Sequence, residues 1–282
     1  MPAENSDELL QVAEEIAREA GGLIRSRMPQ SREVGTKANA VDLVTDTDRA
    51  ADALITARLA AAFPNHDRLT EESGGTPARD TSGICWVVDP LDGTVNFAHG
   101  VPQFAVSIAA VQGFTPGDDL AALSGGKTLV GVVYDPMRDE LFSASHDGPA
   151  RLNEERIVTA KGASLEEALV ATGFPYDRRE RAAEYLEDWH RILPRCRDLR
   201  RAGAAALDLV WVAMGRVDAY WERGLQPWDI AAGALIARRA GVLSTNFSGE
   251  DLFLDAREVL AAPAPVHEQL RGLLVPPEGE AE

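Results

Sequence analysis

Cys85-Trp86-Val87-Val88-Asp89-Pro90-Leu91-Asp92-Gly93-Thr94 is the stretch on which the reading of this chain turns. Ile84 to Val88 is a short unbroken apolar run, as expected of a strand buried on both faces. Two acids three residues apart follow it and aim carboxylates off the edge of a sheet, where binding sites collect in α/β folds. Pro90 fixes the chain as it leaves the strand, and Gly93 permits a tight turn. Backbone N–H groups around Gly93 and Thr94 can then face an anion at a helix start. One loop can thus hold a metal ion and a phosphate together.

Upstream, Asn5 and Ser6 precede an apolar stripe of Leu9, Val12, Ala13, Ile16, Ala20 and Leu23, which predicts a long amphipathic helix ending near Gly21-Gly22. A second helix is expected from about Thr47 to Ala62, stopped by Pro64. Downstream, Phe104 to Val111, Thr128 to Tyr134 and Glu140 to Ser145 read as successive strands, with Gly113 to Lys127 as a surface loop or hairpin tip. Beyond Gly148 strands and helices alternate: strands at Ala168–Thr172, Val217–Glu222, Val242–Thr245 and Glu258–Ala261, helices at Arg178–Leu193, Ala204–Met214 and Asp229–Ala240. Gly241 is placed to cap the last of these helices. The expectation is an α/β fold of two layered halves in one continuous body, 1–148 and 149–275, with a disordered tail at 276–282.

With 45 acids against 28 bases, the formal charge of −17 argues against a polyanion partner such as nucleic acid. A small phosphate is compatible, because divalent metal can invert the local sign. Two cysteines, Cys85 and Cys196, give no disulfide framework and fit a cytoplasmic protein, and no stretch is apolar enough to span a membrane. Several other chemistries lack their residues. Ser124-Gly125-Gly126-Lys127-Thr128 resembles the end of a P-loop, but Ala121 stands where that motif needs glycine. The five histidines show no zinc-ligand spacing, and neither Ser107 nor Ser143 sits in a nucleophile elbow. The run Arg195, Arg197, Arg200, Arg201 reads as a solvated or dimer-facing patch.

Acids recur where a surface charge would be an odd choice: Asp42, Asp46 and Asp48 before the second helix, Glu71 and Glu72 in a loop, Asp89 and Asp92 after the strand, and Asp229 at a helix start. Any one of them could simply cap a helix or a turn. Clustered, they would raise one another's pKa, and a divalent cation removes that objection. An all-oxygen set suits Mg²⁺, whereas Zn²⁺ takes His or Cys.

These residues resemble the inositol monophosphatase family. The likeness rests on Val41-Asp42-Leu43-Val44-Thr45 with Thr47-Asp48, on Glu71-Glu72-Ser73, on Asp89 to Thr94 with Asn96-Phe97, and on Trp228-Asp229. It implies a layered αβαβα sugar-phosphatase fold, a homodimer, sensitivity to lithium, and two Mg²⁺ ions per subunit with a third, weaker one near Glu71. By resemblance, Glu71, Asp89 and the Leu91 carbonyl hold the first metal, and Asp89, Asp92 and Asp229 the second. Asp48 and Thr94, with Glu71, activate water. Lys37 and Gly93 join Thr94 in binding the phosphate, and Glu222 accepts inositol hydroxyls. Hydrolysis of myo-inositol monophosphate is the activity implied. Fructose 1,6-bisphosphate, histidinol phosphate and adenosine bisphosphate are alternative substrates served by relatives, and some bacterial members also contact transcription machinery.

The chain departs from the family pattern in places. Asp46 adds an acid beside Asp48, and spacing alone leaves open which of the two governs the water. Thr70 replaces a glycine common before Glu-Glu-Ser, and Gly113 to Lys127 is longer than the usual connection.

Overall fold

The computed structural model describes residues 5–28, 34–36, 43–76, 83–113, 126–159, 162, 164–251 and 257–274. Lys37, Asp42, the body of the 113–127 loop and the 276–282 tail lie outside them.

In chain order the first half runs α1 (Ser6–Arg27), β1 (Val34–Thr36), β2 (Leu43–Thr45), α2 (Asp46–Ala62), β3 (Asp67–Thr70), β4 (Gly74–Thr76), β5 (Ile84–Asp92), α3 (Thr94–Ala98), β6 (Ala105–Gln112), β7 (Lys127–Asp135), β8 (Glu140–Ser145), β9 (Arg151–Leu152) and β10 (Glu155–Arg156). The second half runs β11 (Leu169–Thr172), α4 (Arg178–Ile192), β12 (Asp198–Arg200), α5 (Ala205–Ala213), β13 (Ala219–Arg223), α6 (Pro227–Arg239), β14 (Leu243–Thr245), β15 (Glu258–Ala262) and α7 (Ala264–Leu274).

Strands β3 to β10 form an eight-stranded sheet in the order β10-β9-β8-β7-β6-β5-β3-β4, and β11 to β15 form a five-stranded one in the order β12-β11-β13-β15-β14. Side-chain alternation along β5 shows how the layers are glued. Trp86 and Val88 face Ile16, Ile24 and Ile55 of α1 and α2 on one side. Cys85 and Val87 face the other side, where Leu207, Leu209, Ile230 and Ile236 of α5 and α6 also contact Ala171, Tyr220 and Val259 of the smaller sheet. On that sheet's far face, Val170, Trp221 and Leu260 pack against Ile192, Val266 and Leu270 of α4 and α7. The stacking is the αβαβα sandwich expected of the sequence. The middle helical layer shares its core with residues of both halves.

Two local expectations change. Helix α1 passes through Gly21-Gly22 and continues to Arg27. Gly21 is a position of close approach and no stop: a Cβ there would lie 2.5 Å from the Tyr134 ring. The start is as read, with Asn5 Oδ1 accepting the Asp7 N–H at 3.1 Å. Strand β5 does not end at Val88 but runs to Asp92, with all nine residues buried. Its pairing with β6 is irregular between Asp89 and Asp92. Pro90, with no N–H to donate, sits inside this irregular stretch, so the acids emerge from a bulged strand end.

Gly131 on β7 lets α6 settle on the large sheet, since a Cβ there would come within 2.9 Å of the Ala232 Cα and carbonyl oxygen. Both contacts are backbone and cannot yield. Gly131→Ala is therefore expected to lower unfolding free energy by about 1–3 kcal/mol, checked by urea denaturation followed by circular dichroism.

Candidate active site

Five elements meet at one pocket of about 270 Å³. The end of β5 brings Asp89, Leu91 and Asp92, and the following turn brings Gly93 and Thr94. The turn after β3 brings Glu71, β13 brings Glu222, and the first turn of α6 brings Asp229. Of the acids and other site candidates singled out in the sequence, Lys37 and Asp42 lie outside the described residues.

Gly93 has φ 95° and a Cβ on it would lie 2.8 Å from the Gln103 carbonyl, so both backbone and space demand glycine. The turn delivers Thr94 to Asp48. Thr94 Oγ1 lies 2.8 Å from Asp48 Oδ1 and 3.1 Å from the Leu91 carbonyl, so its single proton can serve either acceptor. Of the two neighbouring acids of α2, Asp46 faces solvent and pairs with Arg49 at 3.0 Å, while Asp48 is buried against Thr94.

Asp48 is also the third residue of a capping box. Its Oδ2 accepts the Thr45 N–H at 2.9 Å and the Thr45 hydroxyl. Asp229 repeats the device on α6, where its Oδ2 accepts the Gln226 N–H at 2.7 Å. Two of the acids singled out in the sequence therefore also cap the helices that carry them. Asp92 is held differently: its two oxygens accept the N–H groups of Ala205 (3.2 Å) and Ala206 (2.8 Å) at the start of α5. Asp89 Oδ1 accepts the Leu91 N–H at 2.9 Å.

The electrostatics follow from burial. Desolvation, then the charges of Glu71, Asp92 and Asp229, push the Asp89 carboxyl well above the usual range, and Asp89 also shares a hydrogen bond with Glu71. Asp229 is raised by burial and by Glu71 and Asp92. Burial lifts Asp92 to about 7 against the opposing Ala206 N–H. Burial likewise raises Asp48, with the Thr45 and Thr94 hydrogen bonds pulling back. Four carboxyls and the Leu91 carbonyl around one pocket, two of the acids close enough to share a proton, make an oxygen-only donor set of the kind a hard divalent cation satisfies. Among the described residues, no three acid, His or Cys side chains form a ready-made cage. Asp92 and Asp229 instead spend oxygens on backbone amides. The residues fit Mg²⁺, with Glu71, Asp89, Asp92, Asp229 and the Leu91 carbonyl as the candidates to hold it.

Sequence reasoning missed the cationic wall. Arg178 and Arg201 line the same pocket as the acids, and Arg201 corrects the reading of the basic run as only a solvated or dimer-facing patch. Its guanidinium lies over Gly203, where a Cβ would be 2.3 Å from Nη1. Asn96 Nδ2, near the carbonyls of Gln103 (2.8 Å) and Ala202 (2.9 Å), ties α3 to this segment. Glu222 is lifted to about 7 by burial, against the Tyr220 hydroxyl, Arg201 and Arg178. A cleft of about 690 Å³ adjoins the pocket and shares Pro175, Tyr176, Gly224 and Gln226 with it. Its four acids, Asp177, Glu180, Glu184 and Glu258, are matched by four arginines, so the unbalanced acid set lies in the smaller pocket.

The Inositol monophosphatase family model matches residues 5–276. The chain is 40% identical over 255 residues to the Nus factor SuhB of Escherichia coli K12, covering 90% of each protein. It is 39% identical over 261 residues to an inositol-1-monophosphatase of Synechocystis, covering 93% of this chain and 86% of that one. The crystal structure of the extragenic suppressor protein suhB from Bartonella henselae superposes with a TM-score of 0.85 at 35% identity, over 94% of this chain and 98% of that one. With Glu71, Asp89, Asp92, Thr94 and Asp229 lining one pocket and the match extending over nearly the whole chain, this protein belongs to the inositol monophosphatase family.

Proposed function

We propose that this chain is a Mg²⁺-dependent phosphatase that hydrolyses a small polyol phosphate monoester, with myo-inositol monophosphate as the preferred substrate. The observation that carries this reading is the convergence of Glu71, Asp89, Asp92 and Asp229 beside the hydrogen-bonded Asp48–Thr94 pair. Mg²⁺, two or three ions per subunit, would supply positive charge against the phosphoryl oxygens and lower the pKa of water. The protein's own groups do the rest. The Thr94 hydroxyl donates to Asp48 Oδ1, which leaves its lone pairs free to accept a hydrogen bond from an attacking water. The water's proton passes through Thr94 to Asp48, whose basicity burial has raised. Water attacks phosphorus as the ester P–O bond breaks, the departing alcohol oxygen takes up a proton from solvent, Asp48 returns its proton to solvent, and no protein nucleophile is needed.

Glu222 selects the alcohol part. The Tyr220 hydroxyl donates to Glu222 Oε2 at 2.7 Å, which fixes the carboxylate and leaves Oε1 for a substrate hydroxyl. Gly173 provides the space, because a Cβ there would fall 2.0 Å from that carboxylate. The reading includes a homodimer, cytoplasmic location and sensitivity to lithium, all by family membership. No described helix is long and apolar enough to cross a membrane.

The test is phosphate release with and without Mg²⁺ from myo-inositol 1-phosphate, fructose 1,6-bisphosphate, histidinol phosphate and adenosine 3′,5′-bisphosphate. Magnesium-dependent turnover with the inositol ester ahead is expected. No turnover of any would favour a regulatory binding role instead. Glu222→Gln should cut kcat/KM on the inositol ester about tenfold, roughly one hydrogen bond to a charged group, with smaller losses on the others. An equal loss on all four esters contradicts the role given to Glu222.

A further inference from the structure

One buried carboxylate close to the site has no part in the chemistry above. Asp52 lies on α2, one helical turn after Asp48, and is 4% exposed. Its Oδ2 accepts the hydroxyl of Ser73, and its Oδ1 is buried with no hydrogen-bond partner. The nearby cation is engaged elsewhere, since Arg49 pairs with Asp46 at 3.0 Å. Burying a half-satisfied carboxylate destabilises a fold, so a merely structural helix position would be better served by an apolar residue.

Ser73 closes the turn that begins at Glu71. In that turn the Glu71 N–H donates to the Val88 carbonyl at 3.1 Å, and the Ser73 N–H donates to Thr70 Oγ1 at 2.9 Å, both bonds to the large sheet. The second explains why threonine, with an acceptor side chain, can stand at 70. Neither tie reaches α2. The Ser73–Asp52 bond does, and α2 is the helix that carries Asp48.

We infer that Asp52 is a positioning residue: through Ser73 it holds the Glu71 turn against α2 and so sets Glu71 in register with the Asp48–Thr94 pair. The inference rests on the proposed function for the roles of Glu71 and Asp48, but its test can be read without turnover. The variants are Asp52→Ala, Ser73→Ala, the double Asp52→Ala/Ser73→Ala, and Asp52→Asn, whose amide oxygen can still accept from Ser73. Each is checked for folding by circular dichroism, then measured for kcat and KM on myo-inositol 1-phosphate and for Mg²⁺ affinity by calorimetry. Ser73 is exposed, so its alanine variant keeps the experiment alive if Asp52→Ala fails to fold.

Both single alanine variants are expected to lose about tenfold in kcat with KM within about twofold, and about fivefold in Mg²⁺ affinity. The double variant should lose no more than either single one, because one bond is removed in all three. Asp52→Asn should keep both quantities within about twofold of the parent and melt higher, having shed a buried charge. Additive losses, an unchanged kcat and Mg²⁺ affinity in Ser73→Ala, or an Asp52→Asn as impaired as Asp52→Ala would overturn the inference. If the parent hydrolyses none of the phosphate esters, the proposed function fails, and the Mg²⁺ affinities alone decide the role of Asp52.

Discussion

Asp89→Asn is expected to remove at least about a thousandfold of turnover, some 4 kcal/mol of transition-state stabilisation, while making the metal-free protein more stable. The two effects come from one carboxyl. Asp89 is buried in strand β5 with Glu71, Asp92 and Asp229 around it, and that field holds its folded-state pKa well above the unfolded value. A raised carboxyl contributes stability below the unfolded value and loses it as pH rises towards the folded one. The asparagine carries no such loss, and its Oδ1 can keep the Leu91 N–H. Its advantage should therefore be absent near pH 4 and grow by at most about 1.4 kcal/mol per pH unit above it. Urea denaturation of both proteins in EDTA at pH 4, 6 and 8 measures the slope, and phosphate release measures the turnover. A variant that is inactive and also less stable at pH 8 would contradict this account of the site.

The second large effect is that of Mg²⁺ on the unmodified chain. Asp92 is lifted to about 7 and Asp89 and Asp229 are raised with it, so the metal-free protein binds more protons folded than unfolded. Its stability from this site falls between roughly pH 4 and pH 7. A divalent cation competes with those protons. At pH 8 saturating Mg²⁺ should raise the melting temperature by roughly 5 to 10 °C over EDTA, from about 2.7 kcal/mol per site at a hundredfold excess over Kd. At pH 5 the gain should fall below about 2 °C, because the ligands are protonated. Scanning fluorimetry at the two pH values decides the matter, and an equal shift at both would mean that Mg²⁺ binds elsewhere.

The parts of the fold that could be read were those where one local rule dominated. Strand β5 announced itself because both its faces are buried, α1 because of its Asn5 cap and apolar stripe, and α2 because Pro64 follows its end. Strands β9 and β10, two residues each, leave no periodic trace. Strand β12 hid inside the basic run, since only Leu199 of its three residues faces the core. Helix α7 opens among Pro263 and Pro265, which read as breakers in a sequence yet suit the first turn of a helix. At the site, the acids were legible because their number and placement exceed what capping explains. The amides of Ala205 and Ala206 were not, because a backbone donor has no signature in the residue's name. Arg178 and Arg201 were lost among similar surface cations, and the room that Gly203 leaves for the Arg201 guanidinium carries no mark in the arginine itself.

The capping boxes at Thr45–Asp48 and Gln226–Asp229 bear on how descent in this family should be judged. On the proposed function, each of those aspartates answers to two selections, helix initiation and the chemistry of the pocket. A lineage that abandoned hydrolysis for another livelihood would still be held to both, so their persistence in a relative is weak testimony to activity. Asp89 begins no helix and stands among like charges. Freed from catalytic duty it would be a liability, and drift should erase it first, which makes that one position the most informative place to tell working members from retired ones.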